Sequence, residues 1–133
     1  MRSIALVFAI TMITAPAQNS SLDPPTVLSD TNGYDIGPYI NTVATRVRLN
    51  WYSIIPAAIK GEKGRAVVTF NIMRDGKVQE VRVVESAGNE TLARAAVGAI
   101  TVSSPFSALP SAFKLECITL QFSFLYNIKD ENR

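Results

Sequence analysis

The sequence contains no histidine among its 133 residues. Histidine is the usual general base near neutral pH and a frequent zinc and iron ligand, so its absence removes the commonest route to both functions. Cys117 is the only cysteine, which excludes an internal disulfide and a cysteine-based metal site. Ser111 and Lys114 fit the S-x-x-K signature of penicillin-recognising enzymes, but the companion motifs are missing. We therefore expect a protein that is not an enzyme, without catalytic residues, cofactor or metal.

An excess of charge of one sign is also missing. The 13 basic and 11 acidic residues give a net charge of +2 and are spread along the chain without runs. This balance does not favour nucleic acid or an anionic membrane surface as the partner. The hydrophobic content of 47% is too high for a disordered chain, and the length fits one compact domain.

The chain has no long hydrophobic run. The apolar stretch Ile4–Ile13 is shorter than the about 20 residues that cross a bilayer. Arg2 precedes this stretch, and small residues in an Ala-x-Ala pattern end at Ala17. This layout is typical of a secretory signal peptide, so we predict a signal at residues 1–17, cleavage after Ala17 and a periplasmic protein. An inner-membrane anchor through residues 4–17 is the alternative.

The remaining chain divides into a leader, a domain and a tail. Residues 18–34 are polar and interrupted by two prolines and a glycine, which predicts a flexible leader outside the fold. From residue 35 to residue 128 the pattern is that of a folded domain. Residues 129–133 form a polar tail.

Two segments of the domain have apolar residues at the spacing of an amphipathic helix. Asp35 can cap the first helix and Asn89 the second, where Glu90 suits the positive end of the helix dipole. We expect Trp51 in the core and Tyr52 at its rim. The predicted apolar faces consist of Ile36, Ile40, Val43, Val47, Trp51 and Ile54 in the first helix, and of Leu92, Ala95, Ala96, Ala99 and Ile100 in the second.

Three segments alternate as half-buried strands. The first two are joined by Asp75-Gly76, a strong hairpin signal. The last strand alternates most clearly: Ile118, Leu120, Phe122, Phe124 and Tyr126 face one way, and Thr119, Gln121 and Ser123 face the other. The pattern predicts an α+β fold, a three-stranded antiparallel sheet with two helices on one face. A right-handed crossover places the third strand beside the first, at the sheet edge.

These motifs together resemble the C-terminal domain of TonB-type energy transducers. The resemblance extends over residues 36–127 in the family's order. The similar segments are the R-x-x-x-N-W end of the first helix (Arg46–Trp51), the first strand (Gly64–Phe70), the hairpin (Arg74–Val78), the exit from the second strand (Val83–Gly88), and the second helix with the proline segment after it (Ala95–Pro110).

The resemblance implies a binding mode. In this family the domain captures the TonB box, an extended segment of an outer-membrane receptor, by adding it as a strand to the sheet edge. By resemblance, the partner-binding residues are Ile118, Thr119, Leu120, Gln121, Phe122, Ser123, Phe124, Leu125 and Tyr126. This strand carries no charge or proline of the kind that usually protects an edge. The expected partner is therefore an extended peptide of a receptor or of another envelope protein.

The sequence departs from a full transducer in three respects. Such a transducer has a membrane anchor with a functional histidine and a long proline-rich spacer, whereas this sequence has no histidine, a short apolar run and a short leader. We therefore expect a domain that does not itself couple to the proton gradient, either free-standing or working beside separate ExbB/ExbD-like proteins. A TolA-like envelope-integrity component and a homodimer with paired edge strands are the alternatives.

Overall fold

Two helices pack on one face of an antiparallel sheet in the computed structural model of the chain, which describes residues 20–58 and 61–128. The predicted signal peptide at residues 1–17 and the polar tail at residues 129–133 lie outside the described residues. In chain order the elements are β1 (Ser21–Leu22), β2 (Thr26–Val27), α1 (Gly37–Ala58), β3 (Gly64–Met73), β4 (Val78–Ala87), α2 (Glu90–Ser103) and β5 (Cys117–Tyr126). The predicted order of helix, strand, strand, helix, strand is confirmed for α1 to β5.

The sheet has five strands, so the prediction of three is wrong. Its order is β1-β5-β3-β4, with β2 also pairing with β5, and every pairing is antiparallel. β5 does lie beside β3, as the right-handed crossover predicts. Its other side, however, pairs with the two short strands of the leader, because an open edge offers backbone donors and acceptors that an extended segment can satisfy.

The leader was predicted to lie outside the fold, but its described part, residues 20–34, contributes β1 and β2. Leu22 and Val27 pack against the hydrophobic core from these strands. Although the segment is polar and contains prolines, the contacts of Leu22 and Val27 with the core hold it on the sheet.

Helix α2 begins directly after the predicted cap Asn89, whereas α1 begins at Gly37, two residues after the predicted cap Asp35. Asp35 Oδ1 accepts a hydrogen bond from Gly37 N at 3.0 Å, and Asn89 Oδ1 accepts one from Thr91 N at 2.8 Å. Such bonds satisfy amides that have no partner inside the helix. The five predicted residues of the α2 face are all buried; on α1, Ile55 is fully buried where the pattern predicted Ile54, which is partly buried.

The core lies between the helices and the sheet. Trp51 of α1 meets the rings of Phe124 and Tyr126 edge-on, each at 5.1 Å between ring centroids. Trp51 is buried and Tyr52 is exposed, as expected. The β5 residues on this side are all fully buried, which confirms the predicted inward face: Ile118, Leu120, Phe122, Phe124 and Tyr126.

The β3–β4 hairpin holds the segment that leads into β5. Gly76 has a φ of +92°, and a Cβ there would lie 2.0 Å from the carbonyl oxygen of Phe106, so only glycine fits this turn. Phe106 N donates to Gly76 O at 2.9 Å. The guanidinium of Arg74 donates to the carbonyl oxygens of Pro110, Phe113 and Leu115. The hairpin thereby fixes where β5 begins.

Candidate partner-strand interface

The nine residues predicted to bind a partner all lie in β5, but their side chains are not equally available. The five inward residues are buried in the core, and Leu125 is buried on the opposite face. Thr119, Gln121 and Ser123 are partly exposed on that opposite face. A partner at this strand therefore meets mainly backbone groups, together with these three short polar side chains.

The outer edge of β5 is occupied by the leader. Ser21 and Leu22 pair with Leu125 and Phe124, and farther along Thr26 and Val27 pair with Gln121 and Leu120. Val27 lies five residues after Leu22 in the leader, whereas their partners in β5, Leu120 and Phe124, are only four residues apart. The extra residue falls at Asp23-Pro24-Pro25, where proline supplies no backbone donor and the pairing is interrupted.

Four hydrogen bonds fix the leader to β5 beyond the paired residues. Asp23 N donates to Ser123 O at 3.0 Å, and Leu28 N donates to Thr119 O at 2.9 Å. The Ser29 hydroxyl oxygen accepts from Thr119 N at 2.9 Å, and that of Ser20 accepts from Asn127 N at 3.1 Å. The backbone groups of Thr119 and Ser123 therefore point outward, and the two-residue period of a strand gives Gln121 the same direction.

Side chains of the leader and of α1 lie around the contact between the leader and β5. Leu22 and Val27 are partly buried against the core, whereas Leu28 is 51% exposed. The Tyr52 hydroxyl donates to Ser20 O at 3.3 Å, and its ring stacks on Trp51 at 5.5 Å between centroids. The rim aromatic predicted from the sequence therefore contacts the start of the segment that occupies the edge.

A buried hydrogen-bond chain holds the end of β5 in place. Trp51 Nε1 donates to the Tyr126 hydroxyl at 2.9 Å, and this hydroxyl donates to Leu92 O at 2.6 Å. Burial raises the pKa of Tyr126 well above its ordinary value, and the hydrogen bond from Trp51 offsets part of this rise. These two hydrogen bonds link α1, α2 and β5 through the hydroxyl group of Tyr126.

The R-x-x-x-N-W motif has a structural role that the sequence alone did not reveal. Arg46 Nη1 donates to Pro105 O at 3.0 Å, and Asn50 Nδ2 donates to the Ser103 hydroxyl at 2.8 Å. With Trp51 bound to Tyr126, the motif ties α1 to the end of α2, to the connector and to β5. It therefore supports β5 from the core side of the sheet.

The opposite edge of the sheet has the features that discourage strand addition. Within residues 20–58 and 61–128 no strand pairs with the outer side of β4. The pairing of β4 with β3 shifts register twice, and Glu80 has a φ of +55°. Glu80 also forms an exposed ion pair with Arg82 at 3.1 Å. Bulges and charges of this kind protect an edge against the addition of another strand.

A shallow apolar groove lies between α2 and β4. It has a volume of about 600 Å³ and is lined chiefly by Val83, Ala93, Val97 and Val102. Across the described part of the chain, no three residues among histidine, cysteine, aspartate and glutamate are grouped to hold a metal ion. Neither helix described by the structure is long and apolar enough to cross a membrane.

The fold and the occupied edge define a small α+β domain that accepts an extended segment on its last strand. Residues 36–124 match the family model described as TonB C terminal, so the chain belongs to the TonB C-terminal domain family. The matched range begins after β1 and β2.

Two known proteins illustrate this membership. The sequence is 29% identical over 96 residues to Protein TonB of Haemophilus influenzae, covering 72% of this chain and 35% of that protein. The chain thus spans about a third of the length of that relative. Its fold is similar to the NMR solution structure of the Helicobacter pylori TonB C-terminal domain, with a TM-score of 0.57 and 25% identity over 76% of this chain and 91% of that one.

Proposed function

We propose that this chain is a periplasmic binding module that captures an extended segment of an outer-membrane receptor, of the TonB-box kind. The receptor segment is added as a strand to the outer edge of β5. One observation carries the proposal: this edge already accepts an extended segment, since β1 and β2 pair with it. In this mode the backbone bonds supply the attraction and the neighbouring side chains select the sequence.

In this proposal the domain supplies the receptor-binding part of transport across the outer membrane. The signal-like sequence at residues 1–17 directs export, and ExbB/ExbD-like proteins supply the work of the proton gradient. Other envelope proteins with an extended segment are partners of the same chemical class. The family membership and the relative named TonB support this assignment.

The proposal is tested by titrating the ¹⁵N-labelled chain with a synthetic TonB-box peptide. We expect the largest amide shifts at Thr119, Gln121 and Ser123, whose backbone groups point outward, and small shifts on β4. Gln121→Pro removes an outward donor and should weaken binding at least about 10-fold, because an added strand loses a ladder bond and meets the proline ring.

Gln121→Ala is the matched control, because it removes the same side chain and keeps the amide. Both variants are first compared with the parent chain by circular dichroism and urea unfolding. Equal peptide affinity in folded Gln121→Pro and Gln121→Ala would contradict strand addition at β5. A homodimer detected by light scattering, with no peptide response, would favour paired edge strands instead.

A further inference from the structure

The leader segment, defined as residues Ser20–Ser29, occupies the edge that the proposed function assigns to the partner. We propose that it is a built-in competitor, which must leave β5 before a partner strand can bind and which thereby sets the apparent affinity. The inference rests on the proposed function, since the leader segment competes only if the partner uses the same edge.

Competition follows from the backbone groups that both strands require. The leader segment already uses Ser123 O, Thr119 O and Thr119 N, all on the outer side of β5. The inner side of β5 is paired with β3 over ten residues, from Cys117 to Tyr126. One strand edge forms a ladder with one neighbour at a time, so the leader segment and a partner exclude each other.

The leader segment can leave without unfolding α1. Between it and the helix lies a turn in which Asn32 N donates to Asp30 Oδ1 and Tyr34 N donates to Thr31 O. The Tyr34 ring contacts Phe113 at 6.1 Å between centroids, which keeps this turn on the domain. Residues 30–34 are therefore a hinge about which the leader segment can swing away.

The pairing of the leader segment is incomplete, which makes it displaceable. Each of its strands has two residues, and Pro24 and Pro25 interrupt the ladder between them. A continuous partner without prolines would also pair across this interruption. Because it would form more backbone bonds to the same edge, such a partner competes effectively with the resident segment.

The register also specifies the partner's chemistry. Leu22 and Val27 lie opposite Phe124 and Leu120, which are four residues apart on the inward face of β5. In an uninterrupted strand the side chains facing Phe124, Phe122 and Leu120 are spaced by two residues. The geometry points to an extended segment with apolar residues at positions i, i+2 and i+4.

The first test weakens the leader segment at one exposed residue. Leu28→Pro removes the Leu28 N–H that bonds to Thr119 O, and Leu28→Ala removes the same exposed side chain but keeps this donor. Binding of the TonB-box peptide is measured by isothermal titration of the full chain. We expect Leu28→Pro to bind about 2- to 10-fold more tightly than Leu28→Ala. The loss of one hydrogen bond raises the fraction of molecules in which the leader segment has left β5 by about that factor.

The second test locks the leader segment in place. Thr26 and Gln121 are paired across the ladder, at a spacing that a disulfide can bridge. In a Cys117→Ser background, Thr26→Cys with Gln121→Cys should bind the peptide at least about 10-fold more weakly when oxidised and recover on reduction. Thr26→Ser with Gln121→Ser, treated with the same oxidant, is the control.

The outcomes separate the two proposals. If the oxidised lock excludes the peptide and the parent chain shows shifts at the β5 amides, but Leu28→Pro binds no more tightly than Leu28→Ala, capture at β5 stands and competition is overturned. If the peptide binds the oxidised lock as tightly as the parent chain, binds none of the chains, or shifts β4 instead, both proposals fail. Tighter binding in Leu28→Pro together with weaker binding in the oxidised lock supports both.

Discussion

Tyr39 and Tyr126 place their hydroxyl groups in a core that otherwise consists mainly of hydrocarbon. Tyr39 donates to Ser107 O at 2.7 Å, and burial raises its pKa from 10.0 to about 12. Burial raises the pKa of Tyr126 as well. Both groups are therefore protonated in the native state at pH values where tyrosine in an unfolded chain has begun to ionise.

These shifts predict how stability depends on alkaline pH. A folded pKa above the unfolded value favours the folded chain fully below pH 10, and this contribution is lost as pH rises through the folded pKa. We expect the free energy of unfolding in urea to stay level from about pH 7 to pH 9 and to fall above pH 10, where the unfolded chain releases the protons.

Tyr39→Phe checks the assignment to a particular side chain. This variant loses the hydrogen bond to Ser107, so it should be less stable than the parent chain near neutral pH. It also lacks one titrating group, so its free energy of unfolding should fall less steeply above pH 10. Equal slopes in the two proteins would mean that Tyr39 does not contribute to the alkaline transition.

Among the elements, the β3–β4 hairpin turn determines where β5 begins. Gly76→Ala should cost at least about 2 kcal/mol of unfolding free energy, because it combines a positive φ with a clash against the Phe106 carbonyl. Gly33→Ala is the control, since Gly33 also has a positive φ, +83°, but open space around its Cβ position. We expect about 1 kcal/mol there, measured for both by urea unfolding; equal costs would show that the contact with Phe106 is unimportant.

The elements that the sequence predicts well have local signals. Asn89 followed by small apolar residues predicts α2 because capping and the helical period involve neighbouring residues. The alternation of Ile118 to Tyr126 predicts β5 for the same reason. The strands β1 and β2 could not be predicted, because two residues show no period and their pairing depends on an edge about 100 residues away in the chain.

The candidate site was predictable to a similar extent. Family resemblance assigned the partner-binding strand to Ile118–Tyr126, and the structure reveals which backbone groups of that strand point outward. The occupant of the edge was not foreseen, since Pro24 and Pro25 make the leader look like a linker. The hydrogen bonds donated by Arg46, Asn50 and Trp51 could not be predicted from their sequence motif, because the acceptors lie more than fifty residues away in the chain.

At the scale of the whole molecule, the sheet has two edges that differ in character. The β4 edge carries bulges and ion pairs, whereas the β5 edge is regular, uncharged and held by a short resident segment. The two helices and the hairpin connector support β5 from the core side. The proposed capture of a partner strand at β5 relies on this asymmetry.

Site-directed cross-linking of a TonB-box peptide that carries one cysteine tests this account most directly. In a Cys117→Ser background, the chain carries a cysteine either at the β5 edge, as Gln121→Cys, or at the β4 edge, as Arg82→Cys. We predict that the peptide forms a disulfide with the Gln121→Cys chain and little product with the Arg82→Cys chain. Excess peptide without a cysteine should suppress the product at Gln121→Cys. Equal yields at the two edges, or a larger yield at Arg82→Cys, would contradict capture of the partner strand by β5.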